Sequence, residues 1–200
     1  MDKLVCVGKN YLDHAKELGD AVPEMPVLFL KPPSASLQAE SFDETLVVGL
    51  PQNHGSVHPE LEIVVRLDAH LQIDAVTLGL DMTLRDVQSR LKKEGHPWEL
   101  AKVFRGAALI GPWIPLQEFP RYLEEPFTLT VSGKLRQEGR GTQMRLSPTE
   151  CIRYAATHFP LCPGDALFTG TPAGVGQVQP GDPAELKWGN RVVLRVRWTA

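Results

Sequence analysis

The chain has few cysteines, no long apolar run and no excess of charge of either sign, and each shortage removes a class of protein. Its cysteines are Cys6, Cys151 and Cys162, an odd number without a C-x-x-C pair. Neither a disulfide framework nor a thiolate zinc site is therefore indicated, and all three read as core residues. The longest apolar runs are strand-sized, far short of the ~20 residues that a membrane helix needs. The first residues, Met1 to Tyr11, lack the apolar stretch and small-residue cleavage site of a signal peptide, so the cytoplasm is the expected compartment. Lys plus Arg is 21 against 24 for Asp plus Glu, a net charge of −3. That balance offers no basic field for phosphate backbones and excludes a dedicated nucleic-acid binder. No period of 20–50 residues repeats, which excludes solenoids and propellers.

What remains is an ordinary globular composition, 42% apolar and 22% charged over 200 residues. One domain spanning 1–200 is expected, without a linker, and a chain of this length buries about 70% of its unfolded surface. Gly and Pro are both at 17, which predicts many turns and short elements. Runs rich in β-branched residues predict strands over 4–7, 27–30, 46–48, 61–67, 73–80, 127–131, 135–137, 166–169 and 192–198. Ser132-Gly133-Lys134 reads as a hairpin turn. A helical stretch is expected from Tyr11 to Leu18, closed by Gly19. A helix capped by Thr83 and Asp86 runs to about Glu94 before Gly95, and another opens at the capping box Ser147-Pro148-Thr149-Glu150. Strands outnumber helices and do not alternate with them. The fold class is therefore mixed α+β, predominantly β: a roll or sandwich with a few peripheral helices.

Several groups of residues could carry chemistry. In His58-Pro59-Glu60-Leu61-Glu62, a strand places both glutamates on one face and Leu61 and Ile63 on the other. They are either the solvated face of an edge strand or part of an oxygen-donor site. Asp81, at the expected strand-to-helix junction, is either part of a helix cap or a third carboxylate. Three such groups would suit a hard ion, Mg²⁺ or Mn²⁺. His14 and Glu17, three apart, can meet on a helix, where the carboxylate would orient the imidazole as a general base; the alternative is an exposed surface pair. Lys31 and Lys102 each follow an apolar run and either snorkel to solvent or bind an anion. The segment from Thr169 to Gly176 is glycine-rich but lacks the Gly-Lys-Ser/Thr ending of a phosphate loop. It either forms turns or lets backbone approach a carboxylate.

Taken in order, these segments resemble the fumarylacetoacetate hydrolase family, in its short single-domain branch of acylpyruvate hydrolases and oxaloacetate decarboxylases. The likeness rests on Gly8 to His14, Pro26 to Pro32, His58 to Glu62, Gly79 to Gln88, Trp98 to Lys102 and Pro163 to Gly176. The resemblance implies a mixed β-roll and a homodimer. It implies Glu60, Glu62 and Asp81 as Mg²⁺ or Mn²⁺ ligands and His14 with Glu17 as a water-activating dyad on a lid. It also implies Arg85, Gln88, Lys102 and Thr171 around the substrate, with Lys31 nearby; Lys102 is counted with the dyad as catalytic. The implied chemistry is carbon–carbon cleavage of acylpyruvate-type 2-oxo acids through a metal-stabilised enolate, or decarboxylation of oxaloacetate. An isomerase or tautomerase using the same site is the nearest alternative, and a non-catalytic subunit of the same fold a more distant one. The chain departs from the family pattern in a short Glu62-to-Asp81 segment, in Arg105 and in Arg140-Gly141. Arg105 is expected to favour a second carboxylate on the substrate.

Overall fold

The computed structural model describes residues 1–17 and 24–200, so the expected end of the first helix, at Leu18 and Gly19, lies outside the described residues. In chain order the elements are β1 (Leu4–Gly8), α1 (Leu12–Glu17), β2 (Val27–Lys31), β3 (Ser36–Gln38), β4 (Thr45–Gly49), β5 (Val57–Leu67), β6 (Ile73–Leu84), α2 (Arg85–Glu94), α3 (Glu99–Lys102), β7 (Ala108–Ile110), β8 (Ile114–Pro115), β9 (Phe127–Val131), β10 (Lys134–Gly139), α4 (Pro148–Ala156), β11 (Ala166–Phe168), β12 (Pro183–Trp188) and β13 (Arg191–Thr199). They form two sheets. One has the order β2-β1-β11-β5-β6-β7-β3, with β8 also on β6; the other has the order β10-β9-β12-β13-β4. The expected mixed, mostly β fold with peripheral helices is what the chain adopts.

Strand alternation explains how the sheets stack. On β5 and β6, Leu61, Ile63, Val65, Val76, Leu78, Leu80 and Met82 face a core shared with Leu129, Leu186, Leu194 and Trp198 of the second sheet. Each such aliphatic side chain, fully buried, contributes about 1.5–3 kcal/mol before entropy is counted. The opposite face of the first sheet carries a smaller apolar cluster, Leu4, Cys6, Phe29, Val64, Ile110 and Phe168. Glu60 and Glu62 share the parity of Val64 and so belong to this second face. Because β5 lies between β11 and β6, the glutamates are not on the solvated face of an edge strand.

The β5–β6 hairpin is tight. Asp68 Oδ1 accepts from the amides of His70 (2.7 Å) and Gln72 (2.9 Å), which closes the short turn. Its register sets Glu60 opposite Asp81 and Glu62 opposite Gly79. A Cβ on Gly79 would stand 2.7 Å from the Leu109 carbonyl and 2.8 Å from Val64 Cγ2, so only glycine fits there.

Two expectations change here. The strand expected to stop at 80 continues to Leu84, because β5 pairs with it as far as Val57–Leu84, β7 pairs Asp81 with Ala108 and the Met82 amide donates to the Ala107 carbonyl at 2.9 Å. Asp81 is thus a strand residue. Helix α2 then starts at Arg85 behind Leu84, with no side-chain cap. Thr83 is fully buried, and Asp86 accepts from the Ser56 amide (2.7 Å) and hydroxyl (3.0 Å), tying the helix start to the loop before β5. The other helix signals hold. Gly95 ends α2 at φ 70°, and α4 carries the reciprocal Ser147–Glu150 box. Ser132 and Gly133, at φ 49° and 73°, turn β9 into β10. All three cysteines are free; Cys6 and Cys151 are buried, and Cys162 is only half-buried rather than in the core. Among the described residues no helix is long and apolar enough to cross a membrane.

Candidate active site

Glu60 and Glu62 from β5 and Asp81 from β6 bring carboxylate oxygens within 4.8 Å of one another. They are 5%, 3% and 2% exposed, so their charge is held out of water and must be compensated locally. Lys102, at the end of α3, supplies most of that compensation. Its Nζ lies 2.8 Å from Glu60 Oε2, 2.7 Å from Asp81 Oδ2 and 2.6 Å from Thr83 Oγ1. Arg85, the first residue of α2, pairs with Glu60 Oε1 and donates to Gln88 Oε1 at 2.8 Å.

The two glutamates differ in consequence. Burial pushes the Glu60 carboxyl up, but the Lys102 and Arg85 charges outweigh it and hold the group well below the usual carboxylate range. Burial also pushes Glu62 up, and there the neighbouring Asp81 and Glu60 charges add to it, so its pKa stands well above that range. Its hydrogen bond from the Gly170 amide, 2.7 Å to Oε2, only partly offsets them. No lysine or arginine ion-pairs with Glu62 among the described residues. Burial disfavours charge on Lys102, yet Asp81 and Glu60 raise its pKa above the ordinary lysine value, which keeps it a fixed cation. An oxygen-only donor set with one carboxylate short of positive charge fits a hard divalent ion such as Mg²⁺ or Mn²⁺.

A small cavity opens over this cluster and also touches His14, Arg85, Gln88 and Thr171. On α1, His14 is 6% exposed, and its Nδ1 lies 3.2 Å from Glu17 Oε2. Glu17 in turn accepts from the Gly174 amide, at 3.1 and 3.2 Å to its two oxygens. The glycine-rich segment therefore does approach carboxylates, but they are the chain's own. Gly170 sits at φ 99°, and a Cβ there would stand 2.9 Å from Asn10 Cβ, so the approach to Glu62 requires glycine.

Two sequence expectations are corrected. Lys31 was expected near bound substrate; the structure sets it behind Asp81, away from the cavity wall. Its Nζ lies 2.6 Å from Asp81 Oδ1 and also donates to the carbonyls of Met82 and Ala107. Lys31 is the last residue of β2, and its side chain is fully buried. Arg105 was expected to reach a substrate carboxylate; it lines a surface groove with Leu37, Val47 and Phe104 instead, because α3 ends three residues earlier and the chain turns outward. Arg140 likewise spends its guanidinium on the Glu124 carbonyl.

Sequence reasoning passed over Phe29, Trp98, Lys9 and Lys92, which also line the cavity. Their signal was weak: Lys9, Phe29 and Trp98 lie within the matching segments without belonging to a polar pattern, and Lys92 lies outside them. It also passed over Asn10, fully buried, whose side chain donates to the Leu146 and Thr169 carbonyls (2.9 and 2.8 Å) and accepts from the Leu146 amide (2.9 Å).

A mixed sheet thus carries a buried carboxylate trio on its second face, opposed by lysine and arginine and bordered by a cavity. The chain belongs to the fumarylacetoacetate hydrolase family: the profile of the fumarylacetoacetate (FAA) hydrolase C-terminal family matches residues 3–197. It is 39% identical over 208 residues to the oxaloacetate tautomerase YcgM of Escherichia coli, covering 98% of this chain and 93% of that protein. It is 37% identical over 192 residues to the mitochondrial oxaloacetate tautomerase FAHD1 of Homo sapiens, covering 91% and 85%. Among solved structures, a fumarylpyruvate hydrolase from Pseudomonas aeruginosa in complex with Mn²⁺ and pyruvate superposes at TM-score 0.90 with 34% identity, over 100% of this chain and 90% of that one.

Proposed function

We propose that the chain is a Mg²⁺- or Mn²⁺-dependent enzyme of small 2-oxo acids, and that it interconverts the keto and enol forms of oxaloacetate. The observation that carries this reading is the joint cavity: the carboxylate trio, Lys102, Arg85 and His14 all border it, with Glu17 behind the imidazole. The two tautomerase relatives, similar over nearly the whole chain, support it.

Glu60, Glu62 and Asp81 would hold the divalent cation. When bound, that cation supplies a Lewis-acidic centre for the carboxylate and keto oxygens of a 2-oxo acid and for the negative charge that develops there. Lys102 and Arg85 keep Glu60 ionised, and Arg85, Gln88 and Thr171 orient the substrate at the cavity wall. His14 carries the proton. Glu17 at Nδ1 sets the ring's tautomer and leaves Nε2 to move a proton between the substrate's C3 and its C2 oxygen, in either direction. Lys102, held charged, orients the site and does not serve as the base.

A second reading is hydrolytic cleavage of acylpyruvates, which the structural likeness to a fumarylpyruvate hydrolase favours. His14 would then take its proton from water instead of from C3. One experiment separates the two. Enol absorbance is followed for oxaloacetate and for acetylpyruvate with Mn²⁺, with product analysis, and a Glu60→Gln protein subtracts the reaction of free metal. Fast loss of oxaloacetate enol without carbon loss, abolished by Glu60→Gln, is the expected result. Pyruvate and acetate from acetylpyruvate would establish the second reading. Neither reaction, with Mn²⁺ bound, would overturn both.

A further inference from the structure

The segment that carries Glu60 and Glu62 is a sheet strand with one edge left open. β11 pairs with β5 only from Arg66 to Val64. Beyond it the Thr169 amide and hydroxyl still reach the Ile63 carbonyl, at 3.1 and 2.9 Å. The next inward-facing donor on that edge, the Leu61 amide, has no strand to meet. Gln137 supplies the partner: its Oε1 accepts from the Leu61 amide at 2.9 Å.

Gln137 comes from the other sheet. β10 slips register between Leu135 and Gln137, leaving Arg136 as the extra residue. Such a bulge re-aims the following side chain, and Gln137 is 1% exposed where its neighbours are exposed. The far end of the same amide donates from Nε2 to Thr171 Oγ1 and to the Pro172 carbonyl, both at 2.8 Å.

These contacts fix directions as well as positions. A backbone amide can only donate and a backbone carbonyl can only accept, so Leu61 and Pro172 settle which end of the Gln137 amide is oxygen. Nε2 must then donate to Thr171, and the Thr171 hydroxyl accepts. Its own proton is left over. Among the described residues no acceptor takes it, and Thr171, 4% exposed, lines the cavity. A hydroxyl whose lone pair is engaged from behind and whose proton faces a cavity selects an acceptor, and an anionic oxygen most of all.

We infer that Gln137 is a positioning residue of this cavity, one that fixes Thr171 as a hydrogen-bond donor to a carboxylate oxygen of the substrate. The inference rests on the reading that the cavity takes 2-oxo acids. It assigns a residue on the second sheet to substrate recognition, although Gln137 touches no substrate itself.

A double-mutant cycle tests it on the full-length, Mn²⁺-loaded protein, with pyruvate as the probe and its Kd read by calorimetry. Gln137→Met keeps the volume and removes all three hydrogen bonds; Thr171→Val removes the hydroxyl. With Thr171 present, Gln137→Met should raise the Kd about fivefold, whereas on the Thr171→Val background it should change it by less than about twofold. In turnover the same coupling should appear in KM, with kcat within about twofold of its background. A purely structural role, acting through the Leu61 amide, predicts the same factor on both backgrounds, and that result would overturn the inference. Should the Gln137 variant fail to fold, Thr171→Val alone decides: pyruvate binding weaker by about tenfold at unchanged Mn²⁺ affinity is expected, and unchanged pyruvate binding overturns the inference. Wild-type protein that takes up Mn²⁺ but no pyruvate would instead fell the 2-oxo acid reading, and this inference with it.

Discussion

The two ends of β11 each meet a cluster of acidic side chains, and the clusters behave in opposite ways. At the entering end stand Asp2, Cys162 and Asp165; at the leaving end, reached through Gly170, stand Glu60, Glu62 and Asp81. Asp165 is saturated. Its Oδ1 accepts from the amides of Asp2 and Lys3, both at 3.0 Å, and its Oδ2 from the Cys162 amide (2.8 Å) and Lys3 Nζ (2.9 Å). Burial pushes its pKa up, but Lys3 and those amides more than reverse the shift and leave it low. It is a knot that ties the start of β1 to the turn before β11. The trio at the other end is charged beyond its partners. Lys102, Lys31 and Arg85 neutralise Glu60 and Asp81, while Glu62 keeps one backbone amide and two like-charged neighbours. Both clusters read alike as acids near a lysine. The number of donors turned toward each oxygen separates a structural carboxylate from one available to a cation.

The largest effect should come from the unsaturated member. Glu62→Gln removes a donor from the trio, and Mn²⁺ affinity, measured by titration, should fall by more than the roughly 100-fold that loss of an outer-shell partner costs. Asp165→Asn should leave that affinity unchanged. Equal effects on Mn²⁺ would erase the distinction between the clusters. Next in size, Lys102→Met leaves Glu60 and Asp81 facing each other without their shared ammonium. Urea unfolding of metal-free protein should show a loss of about 3–5 kcal/mol, as expected for half of a buried ion pair. Saturating Mn²⁺ should recover part of it, since a ligand bound only to the folded state stabilises that state.

The smallest effect belongs to the knot. Asp165→Asn should cost about 1–3 kcal/mol at neutral pH, the usual cost of disturbing a buried acceptor. Its pH dependence has a definite sign. The folded-state pKa is depressed below the ordinary 3.8, so Asp165 contributes stability that is fully present above 3.8 and is lost as pH falls through the folded value. The gap between wild type and Asp165→Asn should therefore stay constant above pH 3.8 and close below it, as read from denaturant midpoints. A gap that widened in acid would mean that the carboxylate is not stabilised by its four donors.

Much of the site was legible because strands and helices write their geometry into spacing. Glu60-Leu61-Glu62-Ile63 alternates with period two, and a strand can satisfy that pattern only with both glutamates on one face. His14 and Glu17, three apart, meet on α1 as the helix requires. Asp81 was harder. Thr83 and Asp86 imitate a capping pair, and nothing local announces that pairing with β5 runs on to Leu84 or that β7, about 25 residues later, takes Asp81. Short β3, β7 and β8 escaped for the same reason, since two or three residues give no period to read. β12 escaped because Pro183 and its charged alternation lack β-branched side chains. Lys31 and Arg105 show the limit most plainly: each is a cation expected beside the substrate, and one ends behind the carboxylates while the other faces a surface groove.

By itself the sequence determined the inventory and the alternation: which faces are apolar, which residue types share a face, where helices stop, and the family to which the chain belongs. Which lysine reaches which acid, which carboxylate is left short of charge, and which amide from the second sheet completes β5 were decided only by the tertiary structure. The physical reason is that desolvation and Coulomb energy depend on distances through space, and for Glu62, Lys102 and Gln137 the decisive neighbours lie about 20 to 110 positions away along the chain.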